Sequence, residues 1–96
     1  MRTMILVELD TPTVNQHMTD GSMSKSLDEM MTGLKPEAVY FATRNGQRMA
    51  TLVVDLPDSS SLVPMLEPLW LMNAKVEVLP CMNLDELRNG LSRLPH

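Results

Sequence analysis

Ninety-six residues carry eight Lys or Arg against twelve Asp or Glu, a net charge of −4, with 44% hydrophobic and 21% charged side chains. That balance is globular rather than disordered, and its acidity excludes the basic face on which a nucleic-acid binder depends. A single cysteine excludes a disulfide framework and a cysteine zinc site, and no apolar run approaches the ~18 residues of a membrane span.

With no signal-peptide pattern, the expectation is one cytoplasmic domain over 1–96 that binds neither nucleic acid nor membrane. Arg2 to Leu9 (RTMILVEL) is a branched apolar run and predicts a strand. Thr11 is then the expected cap and Pro12 the first residue of a helix over about 12–19. Asp20-Gly21 breaks the pattern, and a second helix over 23–33 follows, with Ser22 as its cap and Lys35-Pro36 as its stop. Val14, Met18, Met23, Leu27, Met30, Met31 and Leu34 recur at three and four, the spacing of a buried helical stripe.

Asn45-Gly46 is the sharpest local signal, because a type I′ turn requires two positive φ angles. Pairing Arg44 with Gln47 sets Tyr40 opposite Thr51, Phe41 opposite Ala50 and Ala42 opposite Met49. Val39, Phe41, Leu52 and Val54 then share one apolar face. A helix over about 59–71 follows, capped by Asp58 or Ser59, with Pro68 expected to kink it. Asn73 is a turn residue, and Lys75 to Leu79 is a fourth strand stopped by Pro80. Asn83 with Glu86 forms a capping box, and Leu84, Leu87, Leu91 and Leu94 give the apolar stripe of a last helix over roughly 84–92.

The order β-α-β-β-α-β-α predicts an α+β, ferredoxin-like fold: a four-stranded antiparallel sheet, helices on one side and an extra C-terminal helix. The uncovered face is expected to hold Met4, Leu6, Glu8, Tyr40, Met49, Thr51, Val53, Glu77 and Leu79. So apolar a surface predicts a homodimer through the sheet face, with Met4, Leu6, Met49 and Leu79 in the contact.

The segments Leu34 to Phe41 (LKPEAVYF), Glu67-Pro68-Leu69, Asn73-Ala74 and Met82 to Leu87 (MNLDEL) carry a resemblance. They resemble the dimeric α/β-barrel superfamily, and within it a family of small uncharacterised bacterial proteins. The resemblance implies two ferredoxin-like sheets closed into a barrel. Its better-known branches are cofactor-free monooxygenases, muconolactone isomerases and relatives of dye-decolourising peroxidases. Their catalytic histidines have no counterpart here, so no catalytic residue is carried over.

Glu8, Tyr40, Thr51 and Glu77, with Arg44 at the hairpin end, are the candidate ligand-binding residues because they share the open face. Beside that reading stands a plain one, a polar rim to a dimer contact. His17 is either a general base at the mouth or a solvated histidine, and His96 is set aside as terminal. Cys81 reads as a small buried hydrophobe or a thiol at a helix start, and Trp70 as a core or interface anchor. Ten methionines raise a copper reading, but their places in helix and strand patterns explain them as packing.

No phosphate loop, nucleophile elbow or HExxH pattern occurs, so no cofactor or metal is expected. The leading expectation is a small homodimer that binds an apolar ligand between its sheets. The alternative is a cofactor-free monooxygenase or isomerase acting on a small organic metabolite.

Overall fold

The computed structural model describes residues 1–95; His96 lies outside the described residues. Strands β1 (Arg2–Glu8), β2 (Ala38–Arg44), β3 (Gln47–Asp55) and β4 (Lys75–Pro80) form one antiparallel sheet in the order β2-β3-β1-β4. Helices α1 (Thr11–Asp20) and α2 (Met23–Leu34) fill the first crossover, and α3 (Leu62–Leu71) fills the second behind a 3₁₀ turn at Ser59–Ser61. Helix α4 (Leu84–Ser92) follows the last strand.

The hairpin has the expected register throughout, from Tyr40 opposite Thr51 to Arg44 opposite Gln47. Asn45 and Gly46 both take positive φ, 54° and 73°, as a type I′ turn demands. Period-two alternation sends Thr3, Ile5 and Val7 of β1, and Ala50, Leu52 and Val54 of β3, to the covered face. There they pack with Leu34 of α2 and with Leu66 and Leu69 of α3 to make the core. Burial of these branched side chains is the main stabilising term, at roughly 1.5–3 kcal/mol for each one fully buried.

Several helix details differ from the sequence reading. Asp10, not Thr11, caps α1: its carboxylate accepts the Thr13 N–H at 3.2 Å and the Thr13 hydroxyl at 2.6 Å. A carboxylate one residue earlier reaches the free first-turn N–H groups and holds negative charge at the helix start. Gly21 ends α1 in the left-handed region, at φ 78°. Ser22 precedes α2 but makes no side-chain cap, because its hydroxyl is engaged with His17. Met18 is exposed rather than part of the core stripe, and on α1 only Val14 is buried. Trp70 is 44% exposed, so it is no core residue. Cys81 is a free, partly buried thiol whose own N–H donates to the Arg2 carbonyl at 3.2 Å.

The barrel implied by the family resemblance is not formed. The described chain forms one four-stranded sheet, and its edge strands β2 and β4 are each bonded on one side only. The sheet is open and its resemblance to a ferredoxin-like arrangement is one of strand order. The molecule is also long, 58 × 27 × 18 Å with a radius of gyration of 15.7 Å. A compact chain of this length would have about 12–13 Å. Helix α4 accounts for the excess, since none of its residues is buried.

Candidate functional site

Two surfaces outside the core have shape and chemistry of their own. The first is the open sheet face, where register builds three rows across the four strands. Ala38, Val53, Met4 and Leu79 form an apolar row at one end. Tyr40, Thr51, Leu6 and Glu77 form the middle row, and Ala42, Met49, Glu8 and Lys75 the far one.

The four candidate residues Glu8, Tyr40, Thr51 and Glu77 therefore do share one face, as alternation predicts. Three of them lie in a single row. Arg44 reaches over this face to within 3.8 Å of Glu77, although the two belong to opposite edge strands. Its stem lies by Met49 and leaves a recess of about 100 Å³ with Leu6, Glu8 and Lys75 in its lining. Tyr40 is outside that recess and 73% exposed. The face thus grades from apolar at the Leu79 end to charged at the Lys75 end.

The second surface was not foreseen from the sequence. Helices α2 and α3 stand apart over the sheet and leave a groove of about 450 Å³. Ser26, Glu29, Met30, Gly33 and Leu34 of α2 line one wall, at the i, i+3, i+4, i+7 and i+8 positions of a single helix face. Pro64, Met65, Pro68 and Leu69 of α3, with Met72, line the other. A volume in the range of roughly 300–1,000 Å³ with mostly apolar walls and few polar groups is the usual form of a small-molecule site.

Each wall has a local cause. Gly33 has no side chain, and a Cβ built there meets nothing within 4 Å, so the α2 wall is low at that point. Pro64 and Pro68 stand one turn apart on α3 and present rigid rings instead of flexible chains. Pro68 also has no N–H, which leaves the Pro64 carbonyl without its helical donor at the groove. A glycine and an i, i+4 proline pair on facing helices were the legible signals. Of these, the sequence reading gives a role only to Pro68, as a kink.

His17 sits at the mouth of this groove, half-buried, with Nδ1 2.6 Å from the Ser22 hydroxyl. Asp20 lies next in the same turn. The Ser22 hydroxyl, and then the Ser22 N–H at 2.9 Å, hold the Asp20 carboxyl below its usual range, with His17 adding a smaller push the same way. The mouth therefore holds a hydrogen-bonded imidazole and hydroxyl beside an apolar trough. Such a pair can anchor a polar group or take up a proton.

Among the described residues no three His, Cys, Asp or Glu side chains converge as a metal site would require. No helix of the described residues is long and apolar enough to cross a membrane. Neither protein-family models nor curated proteins match this chain.

Proposed function

We propose that the protein is a homodimeric binder of a small apolar molecule. Two copies meet on their open sheet faces as layered, unclosed sheets, and each holds its ligand in the groove between α2 and α3. The groove carries the reading: it is about 450 Å³ with mostly apolar walls, and His17, Ser26 and Glu29 are its polar lining. The recess on the sheet face is less than a quarter of that size. In this reading Glu8, Tyr40, Thr51 and Glu77 serve the contact between copies, with Arg44 and Lys75 supplying charge opposite the two glutamates.

Filling the groove tests the binding. A Cβ at Gly33 meets nothing within 4 Å, and Gly33 lines the groove, so Gly33→Phe should place its ring in the trough, with far-UV circular dichroism as the check that the fold is kept. Titration with an anilinonaphthalene dye should give saturable binding to the native chain, weakened at least about tenfold in the variant. Equal binding by both proteins removes the groove as the site.

A second reading, a cofactor-free enzyme of the isomerase kind, has the His17–Ser22 pair in its favour. There His17 exchanges a proton with a substrate lying along the groove. His17→Gln would then abolish turnover and leave dye affinity unchanged. Turnover that survives the substitution sinks this reading.

A further inference from the structure

Helix α4 has the clearest local specification in the chain, yet none of its residues is buried. Its capping box is complete: the Asn83 side chain accepts the Glu86 N–H at 2.8 Å, and the Glu86 carboxylate accepts the Asn83 N–H at 2.9 Å. Its leucines at 84, 87 and 91, with Leu94 just past its end, repeat at three, four and three, the narrow seam by which one helix packs on another surface. Yet all four are exposed, between 43% and 60%, as is Met82 just before them. A helix of nine residues is shorter than the ~12–15 that is marginal in water alone, so this one requires a covering surface.

The root of the helix points to where that surface lies. Arg2 bonds Glu37 at 2.8 Å and also pairs with Glu86 in the first turn of α4. Arg2 alternates with Thr3, so its side chain belongs to the open side of the sheet. The arm thus starts on the open side, at the end where Ala38, Val53, Met4 and Leu79 form the apolar row. Leu79 and Met82, both exposed, precede the leucine seam in the chain.

Area completes the argument. Strands of six to nine residues, four abreast, give a footprint of roughly 20 by 20 Å, about 400 Å² per copy. A standard interface buries about 800 Å² on each partner, so sheet against sheet supplies only part of a stable contact. Five half-exposed apolar side chains on each arm add on the order of 250 Å², together with whatever they cover.

We propose that α4 is an exchanged arm, and that its leucine seam packs on the second copy of this chain seated against the open sheet face. The inference rests on the face-to-face dimer proposed above and specifies what completes it. A two-fold arrangement makes the exchange reciprocal, so both arms and both faces are covered at once.

Sedimentation equilibrium of three full-length proteins tests it: the native chain, Leu87→Glu/Leu91→Glu on the arm, and Leu6→Glu/Val53→Glu on the face. Arm substitutions lie outside the core, so far-UV circular dichroism and core unfolding should stay native. Leu87→Gln/Leu91→Gln provides a milder pair. The expected result is a native dimer whose dissociation constant rises at least about 100-fold in the arm variants. A photoreactive side chain at position 91 should then crosslink between chains.

Native dimers with unchanged arm variants, or crosslinks confined within one chain, overturn the arm and leave the face reading standing. Dimers that survive the face variant but not the arm variants overturn the face reading. In that outcome the arm contact stands without its stated seat. A native chain that is monomeric at 100 μM, taken as about a hundred times a micromolar constant, overturns both.

Discussion

Helices α3 and α4 are of similar length, ten and nine residues, and each follows a strand of the same sheet. They could hardly differ more in how they are held. Helix α3 contains two prolines and follows directly on a 3₁₀ turn, yet Leu66 and Leu69 are each 1% exposed. Helix α4 has a complete capping box and a regular leucine seam, yet buries nothing. Local chemistry therefore decides that a helix forms, and the packing available decides where it lies. Helix α3 is stabilised by tertiary burial despite its sequence, whereas α4 is specified by its sequence and buries none of its residues within the described chain.

The largest break in this comparison comes from trimming one leucine on each helix. Leu69→Ala should cost about 2–5 kcal/mol, because the side chain sits between the sheet and the groove wall and its loss leaves a cavity. Leu87→Ala should change unfolding of the dissociated chain by no more than about 0.5 kcal/mol. Urea denaturation at a protein concentration well below the dimer constant compares the two directly. A cost of several kcal/mol at Leu87 in that regime would mean that α4 packs on its own domain.

Capping comes next in size. Asn83→Ala removes the acceptor for the Glu86 N–H and should weaken α4 by about 1 kcal/mol. Because the helix is unburied, the loss should appear as lower helicity near α4 by NMR shifts, with the unfolding midpoint of the sheet unmoved. Gly33→Ala acts in the opposite sense. It lies inside α2 with open space around its Cβ, so alanine should stabilise the fold by about 0.5–1 kcal/mol in thermal unfolding. A destabilised Gly33→Ala would show that the groove wall needs that position bare.

Much of the fold could be read in the chain because its signals are short-range. Asn45-Gly46 dictated a turn, the turn dictated register, and register with alternation placed Glu8, Tyr40, Thr51 and Glu77 on one face. The split βαβ order of strands followed from element order alone. What misled were properties of whole surfaces. The barrel rests on scattered matching segments such as LKPEAVYF, which specify strands and turns but not the closure of a sheet at its edges β2 and β4. Met18 fits an apolar spacing, yet lies beyond the reach of the core. The groove was missed because a space between two helices is set by how far apart they stand, which neither helix encodes by itself. Gly33 and the pair Pro64 and Pro68 mark its walls, but each has an ordinary local explanation, and only their meeting across α2 and α3 gives them another.

The smallest expected effect separates the two helix starts by pH. Asp58 accepts hydrogen bonds from the Ser60 hydroxyl at 2.8 Å and from the Ser61 hydroxyl and N–H, both at 2.9 Å. The Ser60 hydroxyl first, then Ser61, holds its carboxyl below the ordinary 3.8. A carboxyl lowered on folding stabilises the fold above its unfolded value, and that contribution is lost as pH falls through the lower, folded value. Asp58→Asn keeps an acceptor oxygen and removes the charge. It should therefore lower stability slightly at neutral pH, and the difference from the native chain should shrink as pH falls below about 4. The Asn83 acceptor on α4 carries no titrating proton, so the deficit of Asn83→Ala should persist on the same acid side. Guanidine unfolding of Asp58→Asn, and the α4 NMR shifts of Asn83→Ala, each at neutral and acid pH, give the contrast. A difference for Asp58→Asn that stays constant with pH would mean that the charge plays no part in starting α3, and that both helices begin on neutral hydrogen bonding alone.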